Sequence, residues 1–377
     1  MLRRALGRVV ALRDMALDSA PEIAAPPRPA SRLSGLSLAW RLVFALALLG
    51  VAVALPQIYG QTTTKLFAQA IYLAVAAMGL NLLTGFNGQV SVGHGAFFGF
   101  GAYASAILVF NHGWSFYWTL PVVALLTAVV GAAVGFPALR IKGLYLALIT
   151  LGLAALLPLF VTKYVNGAGG TTLVQPNPPV TPNWVPISWI PQGADDIWRY
   201  YVSLAVAIVG FVVIRNIVHS RVGRAIIAIR DREVAAETVG VNLSQVKVAT
   251  FAVSAAYAGV AGALSVMIDG VAQSSQLIFF QLSIEFLVAV VIGGAATLAG
   301  PILGAIVVVF LQDRTMHISD NEVLAPAVFG GLLILVMYVV PDGIVGGVRR
   351  LTAILLRRFT SRKGDAPLAP SPATSNP

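Results

Sequence analysis

Residues 79–103 read Gly79-Leu-Asn-Leu-Leu-Thr-Gly-Phe-Asn-Gly-Gln-Val-Ser-Val-Gly-His-Gly-Ala-Phe-Phe-Gly-Phe-Gly-Ala-Tyr103. Polar Asn81, Asn87, Gln89, Ser91 and His94 are embedded here among apolar side chains and glycines. The stretch lies inside a longer interval, between Lys65 and Arg140, that contains no Asp, Glu, Lys or Arg. A helix needs about 20 apolar residues to cross the hydrocarbon core of a bilayer. The interval is long enough for three such helices, divided at the turn-forming clusters Gly85-Phe-Asn-Gly88 and Asn111-His-Gly113. This reading places crossings at about 66–84, 91–110 and 117–139.

The rest of the chain has the same character. Of 377 residues, 58% are hydrophobic and 11% charged, with a mean hydropathy of +0.84. A soluble domain carries about 25% charged residues, so the composition is that of an all-α polytopic membrane protein. Further crossings are expected at 40–56, 143–162, 200–218, 248–268, 282–298, 301–311 and 324–340, about ten in all, the short 301–311 segment being a candidate half-helix. With no cysteine and four dispersed histidines, thiol chemistry is excluded and no metal-ligand spacing is present. The net charge of +10 flanks apolar segments and forms no soluble basic surface, which argues against nucleic acid.

Basic residues give the orientation, because cytoplasmic loops are enriched in Lys and Arg. With both termini inside, only Lys65, Lys163, Arg199 and Arg314 fall outside. The expected organisation is a basic, Pro-rich cytoplasmic arm (1–38), a transmembrane domain (39–345) and a cytoplasmic tail (346–377). The domain carries one sizeable external loop (164–199) and one cytoplasmic hydrophilic block (220–244). In the arm, Leu2, Leu6 and Val9 with Arg4, Arg8 and Arg13 fit either a surface helix on anionic lipid or a solvated tail.

Two glycine-rich interruptions stand out. Irregular backbone at membrane depth must be covered by protein or line a cavity, and paired interruptions in the two halves of a transporter point to its binding path. The first gives Asn81, Gln89, Ser91, Gly93, His94 and Gly95 as candidate path residues. The second, Val291-Ile-Gly-Gly-Ala-Ala-Thr-Leu-Ala-Gly-Pro-Ile-Leu-Gly304, gives Gly293, Gly294, Gly300 and Pro301, the last preventing a continuous helix. Tight interhelical packing explains the same residues, and His94 by itself reads as a hydrogen-bonded interhelical histidine.

The block Ser220–Ser244 reads as a short amphipathic helix. Arg230, Asp231, Arg232, Glu233 and Glu237 would face water. Ala225, Ile226, Ile229, Val234, Ala235 and Val239 would make apolar contacts, and Gly240 and Asn242 would end the helix. Such a helix fits a groove on a soluble partner or a resting place on the membrane surface.

Five motifs in order carry a resemblance: Gly79-Leu-Asn-Leu-Leu-Thr-Gly85, Gly88–Tyr103, Gly223-Arg-Ala-Ile226 with Asp231–Gly240, Ala258–Leu264, and Gly293-Gly with Gly300-Pro301. Over about residues 60–345 the chain resembles the membrane permease subunit of branched-chain amino acid ABC importers, LivM type. The resemblance implies a complex with a second, LivH-type permease, two cytoplasmic ATPase subunits and an extracytoplasmic solute-binding protein, in the inner membrane. ATP and Mg would act on the ATPase subunits, with no cofactor in this chain. The 220–244 block would be the coupling helix, with Arg224, Arg230, Glu233, Ala235, Ala236, Glu237 and Gly240 at the ATPase contact. The importer signature EAAxxxG is matched by Ala235, Ala236 and Gly240, but Val234 stands where the Glu belongs and Glu233 precedes it.

No GxxxxGK[ST] phosphate loop occurs, so an ATP-driven transporter would need its ATPase on another chain, and the chain itself reads as non-catalytic. Similar permeases carry urea or short amides. An ion-coupled secondary transporter would need an ionisable relay, for which Asp269, Glu285 and Asp313 are the candidates. A membrane enzyme would need a catalytic cluster, and His94 has no carboxylate near it in sequence.

Overall fold

The structure is a computed structural model. It describes residues 38–138, 144–164, 172–174, 194–273 and 276–316, with scattered residues between 327 and 352. The N-terminal arm, most of the 164–199 loop, most of the 324–340 segment and the end of the tail lie outside the described residues.

The charge-free and apolar runs are helical. Helix α1 spans Leu38–Ile58 and α2 Gln61–Leu80, which runs on into a π-helical turn at Asn81–Phe86. Then come α3 (His94–Phe110), α4 (Phe116–Ala138), α5 (Leu144–Tyr164) and α6 (Ala194–His219). The hydrophilic block is α7 (Arg221–Asp231) and α8 (Glu233–Thr238), followed by α9 (Leu243–Asp269), α10 (Gln276–Gly293) and α11 (Gly300–Met316). Two sequence expectations are corrected. The 301–311 segment lies within a longer helix, α11, of 17 residues. The 282–298 segment ends at Gly293, because Gly294 and Ala296 take positive φ of 112° and 57° and the backbone leaves the helix there.

Among the described residues the non-helical pairing is short: β1 (Thr172–Val174) runs antiparallel to β2 (Val271–Gln273), with Leu173 opposite Ala272. Gly270, at φ 71°, closes α9 in the left-handed conformation and turns the chain into β2.

By length and composition, Thr62–Phe86, Phe116–Pro137, Asp196–His219 and Leu243–Asp269 are each able to cross a membrane. They differ in role. In the most apolar stretches of the first and last, 72% of residues are buried, against 11% in Asp196–His219. So α2 and α9 form the centre and α6 lies at the periphery. Helix α9 packs on α2, α3 and α4. Its small residues allow this: a Cβ at Gly262 would meet the Phe98 carbonyl, and one at Gly101 would meet Gly259. With no side chain at these points, backbones approach closely, as in small-xxx-small helix pairs.

Candidate functional site

The first interruption begins where α2 changes pitch. A π-turn widens the helix and leaves carbonyls without their usual partners, and such turns cluster at functional sites. Asn81, the first residue of the turn, is buried. Its Nδ2 donates to the Thr297 carbonyl at 2.8 Å, and its Oδ1 accepts from the Ala296 N–H at 2.9 Å. One side chain therefore joins the two interruptions and holds Ala296 in a conformation that costs an L-residue about 1–2 kcal/mol. The second interruption is closed further by Thr297, whose Oγ1 donates to the Gly294 carbonyl at 2.6 Å and accepts from the Gly300 N–H at 3.1 Å. Pro301 follows in the first turn of α11, where its missing N–H costs nothing.

Ser91 and His94 form a closed polar chain. Ser254 donates to the Gly79 carbonyl at 2.7 Å, so its oxygen accepts from His94 Nε2 at 2.6 Å. The remaining ring nitrogen, Nδ1, then accepts from the Ser91 hydroxyl at 2.8 Å. All three side chains are fully buried. The network assigns a neutral Nε2–H histidine whose hydrogen-bonding capacity is used up, which matches the interhelical reading of His94.

Gly93 and Gly95 are contact points between helices. A Cβ at Gly93 would fall on the Thr150 carbonyl of α5, and one at Gly95 on the Phe279 carbonyl of α10. The Gly95 N–H donates to Ser283 Oγ at 2.8 Å, and Ser283 donates to Phe279 O at 2.8 Å. A first-turn N–H of α3, which has no partner within its own helix, is thus satisfied by α10. A Cβ at Gly293 or Gly300 would likewise strike the backbone across the second interruption.

Asn87 and Gln89 differ from their neighbours. Both polar atoms of the Asn87 side chain, and Oε1 of Gln89, are buried without a hydrogen-bond partner among the described residues. Such groups are rare in folded proteins and call for water or a ligand.

The 220–244 block is not one helix. Ser220 caps α7, accepting from the Val222 and Gly223 amides. Arg232, at φ −157° and ψ 104°, breaks the block before α8, and Asn242 starts α9 by accepting from Gln245 N. Ile226, Ile229 and Ala236 are buried. Contrary to the amphipathic reading, Val234 and Val239 are 75% and 78% exposed, and Ala235 is exposed with Arg224, Glu237 and Gly240. Glu233 pairs with Lys247 on α9. Arg230 turns back: Nη1 donates to the Gly85 carbonyl at 3.1 Å, while Nε and Nη2 hold Asp231 Oδ1 at 3.2 and 3.1 Å.

Of the relay candidates, Asp269 accepts from Gln69 at 3.0 Å and Tyr72 at 3.5 Å, with Lys65 Nζ at 3.7 Å. Glu285 accepts from Gln281 at 2.9 Å. Sequence reading missed Ser254, Ser283, Thr150 and Thr297. For Ser254, Ser283 and Thr150 the faint signal is a lone Ser or Thr in an apolar helix, which can also satisfy itself on its own helix; Thr297 lies in the break between α10 and α11.

Residues 62–338 match the family model described as branched-chain amino acid transport system / permease component. The chain belongs to this family. It is 27% identical over 352 residues to the high-affinity branched-chain amino acid transport system permease protein LivM of Salmonella typhimurium, covering 89% of this chain and 81% of the relative. Against LivM of Escherichia coli it is 29% identical over 321 residues, 80% and 74% of the two chains. Against LivH of Salmonella typhimurium it is 25% identical over 291 residues, 72% and 91%. No solved structure matches. Family and apolar helices together make it a multi-pass membrane protein, a permease subunit for amino acid import.

Proposed function

We propose that this permease is the LivM-type half of an ATP-driven importer in the inner membrane. A LivH-type permease would be its membrane partner, two ATPase subunits would bind its cytoplasmic face, and an external binding protein would deliver branched-chain or related amino acids. The observation that carries the reading is the exposed edge of the α7–α8 block. Val234 and Val239, each over 70% exposed, flank Glu237, which lines a pocket of about 480 Å³ with Glu233, Gly240, Asn242, Ser244 and Lys247. Exposed apolar side chains on the helix that supplies a charged groove fit a docking surface for a soluble subunit. Arg224, Ala235 and Glu237 extend that surface; Arg230 is exposed too but spends one donor on the Gly85 carbonyl, and Ala236 is buried against the permease.

The path follows the two interruptions. Asn81, Ser91 and His94 shape its wall through their internal bonds, and Gly93, Gly95, Gly293, Gly294, Gly300 and Pro301 set its backbone. Asn87 and Gln89, with unspent hydrogen-bonding capacity, are the groups able to touch a passing solute. A carboxamide suits an ammonium or carboxylate and serves urea or a short amide equally, so a urea or amide cargo is the second reading.

Replacing Val234 and Val239 together by Asp is expected to abolish co-purification of the ATPase subunits while the permease still accumulates in membranes. Retention of the subunits, with leucine uptake intact in proteoliposomes, would defeat the docking assignment. The ten-crossing, both-termini-inside arrangement has its own test in this cysteine-free chain. An impermeant maleimide should label Thr62→Cys in sealed cells and Ser244→Cys only after permeabilisation. External labelling of Ser244→Cys would reverse the orientation.

A further inference from the structure

Arg230 is exposed at the surface of the block and also reaches back to the permease. Its guanidinium is planar and offers donors in a fixed fork. Asp231 occupies Nε and Nη2 on one edge, which directs Nη1 to the Gly85 carbonyl at 3.1 Å. A Cβ on Gly88 would touch Arg230 Cγ, so the stem of the side chain also lies along the end of the π-turn. On its other side Gly85 has no room at all: a Cβ there would meet Asn81 Oδ1 and the Ala296 amide, the two atoms of the clamp between the interruptions. Apolar contacts run in parallel. Buried Ile226 of α7 clusters with Leu82 and Phe86 of the π-turn, with Ala296 and Leu298 packed against them. Helix α7 therefore touches both interruptions, by one charged hydrogen bond and one apolar cluster.

We propose that Arg230 is a positioning residue that passes displacement of α7 to both interruptions through the Gly85 carbonyl and the Asn81–Ala296 clamp. Tight cores are bistable and do not deform continuously, so a shift of α7 by a docked subunit must move the π-turn with it or break this bond. The proposal rests on the importer reading above and adds to it the route by which ATPase movement reaches the path.

The test uses the complete complex in proteoliposomes, with binding protein and labelled leucine. It compares wild type with Arg230→Ala, Arg230→Lys and Asp231→Asn. Three quantities are read: co-purification of the ATPase subunits, ATP hydrolysis, and uptake per ATP hydrolysed. Arg230→Ala is expected to assemble and to lose about tenfold in uptake per ATP, a typical coupling energy between sites. Arg230→Lys, which keeps the charge without the planar fork, should fall between, and should carry the comparison if the alanine variant does not reach the membrane. Asp231→Asn should shift the ratio in the same direction by less. Uptake per ATP at the wild-type value in both Arg230 variants overturns the linkage and leaves the importer reading standing. Loss of ATPase binding in both makes Arg230 a docking residue and also overturns it. A wild-type chain that assembles with no ATPase subunit overturns the importer reading and the linkage together.

Discussion

Gly95→Leu is expected to leave almost no folded protein in the membrane fraction, the largest effect of any single change considered. The reason is what lies opposite. A Cβ at position 95 meets the Phe279 carbonyl and Ser283 Oγ, and the carbonyl is backbone within α10, so it cannot swing away as a long side chain would. Overpacking a core ordinarily costs about 1–3 kcal/mol, and four added carbons against a helix backbone exceed that range. The substitution also separates the Gly95 N–H from Ser283 (2.8 Å), leaving a buried donor unpaired. Gly93→Leu, facing the Thr150 carbonyl, should behave alike. Ser91→Ala, by contrast, leaves His94 Nδ1 without its donor, a loss of about 1–3 kcal/mol, but adds no clash and should still give folded protein that takes up substrate. Fluorescence-detected size exclusion of tagged variants separates these outcomes. A monodisperse Gly95→Leu protein with normal uptake would mean that α3 and α10 do not pack at this point in the working transporter.

The second expectation concerns the clamp. Asn81→Leu, of similar volume, removes both bonds to the second interruption and leaves the Ala296 N–H and Thr297 carbonyl without partners. Each unsatisfied group costs up to about 1–3 kcal/mol when buried; both residues are half-buried, so the loss is at most roughly 2–6 kcal/mol, still a sizeable part of the total stability of an ordinary domain. Ala296 would also be released from its left-handed conformation. Adding Ala296→Gly to the variant should recover at most about 1 kcal/mol, because glycine removes the steric cost but raises the entropy of ordering. The expected pattern is a lowered Tm in detergent for Asn81→Leu, a small rise from the second change, and lost uptake in both. An unchanged Tm in Asn81→Leu would show that the two interruptions do not depend on this side chain.

The positions of the described helices were largely legible in the sequence. Apolar runs between Lys65 and Arg140 and beyond leave few options at membrane depth, since backbone polar groups there must be bonded internally. Family membership was equally legible, carried by five ordered motifs and later matched by the family model over 62–338. The breaks at Gly85–Gly88 and Gly294–Gly300 were visible because glycine and proline interrupt helices through local sterics.

What tertiary structure decided is which polar groups are spent and which remain available. Asn81, Asn87, Gln89, Ser91 and His94 look alike as polar residues in an apolar run. Asn81 is satisfied by atoms over 200 positions away, and His94 by a serine 160 positions on. Asn87 finds no partner among the described residues. Arg230, though exposed, spends one donor on the Gly85 carbonyl, and Val234 is 75% exposed despite its apolar side chain. Local sequence specifies the pitch of a helix and the place where it breaks. Satisfaction of a buried hydrogen bond depends on which distant backbone the packed helices bring within 3 Å, and only the assembled bundle determines that.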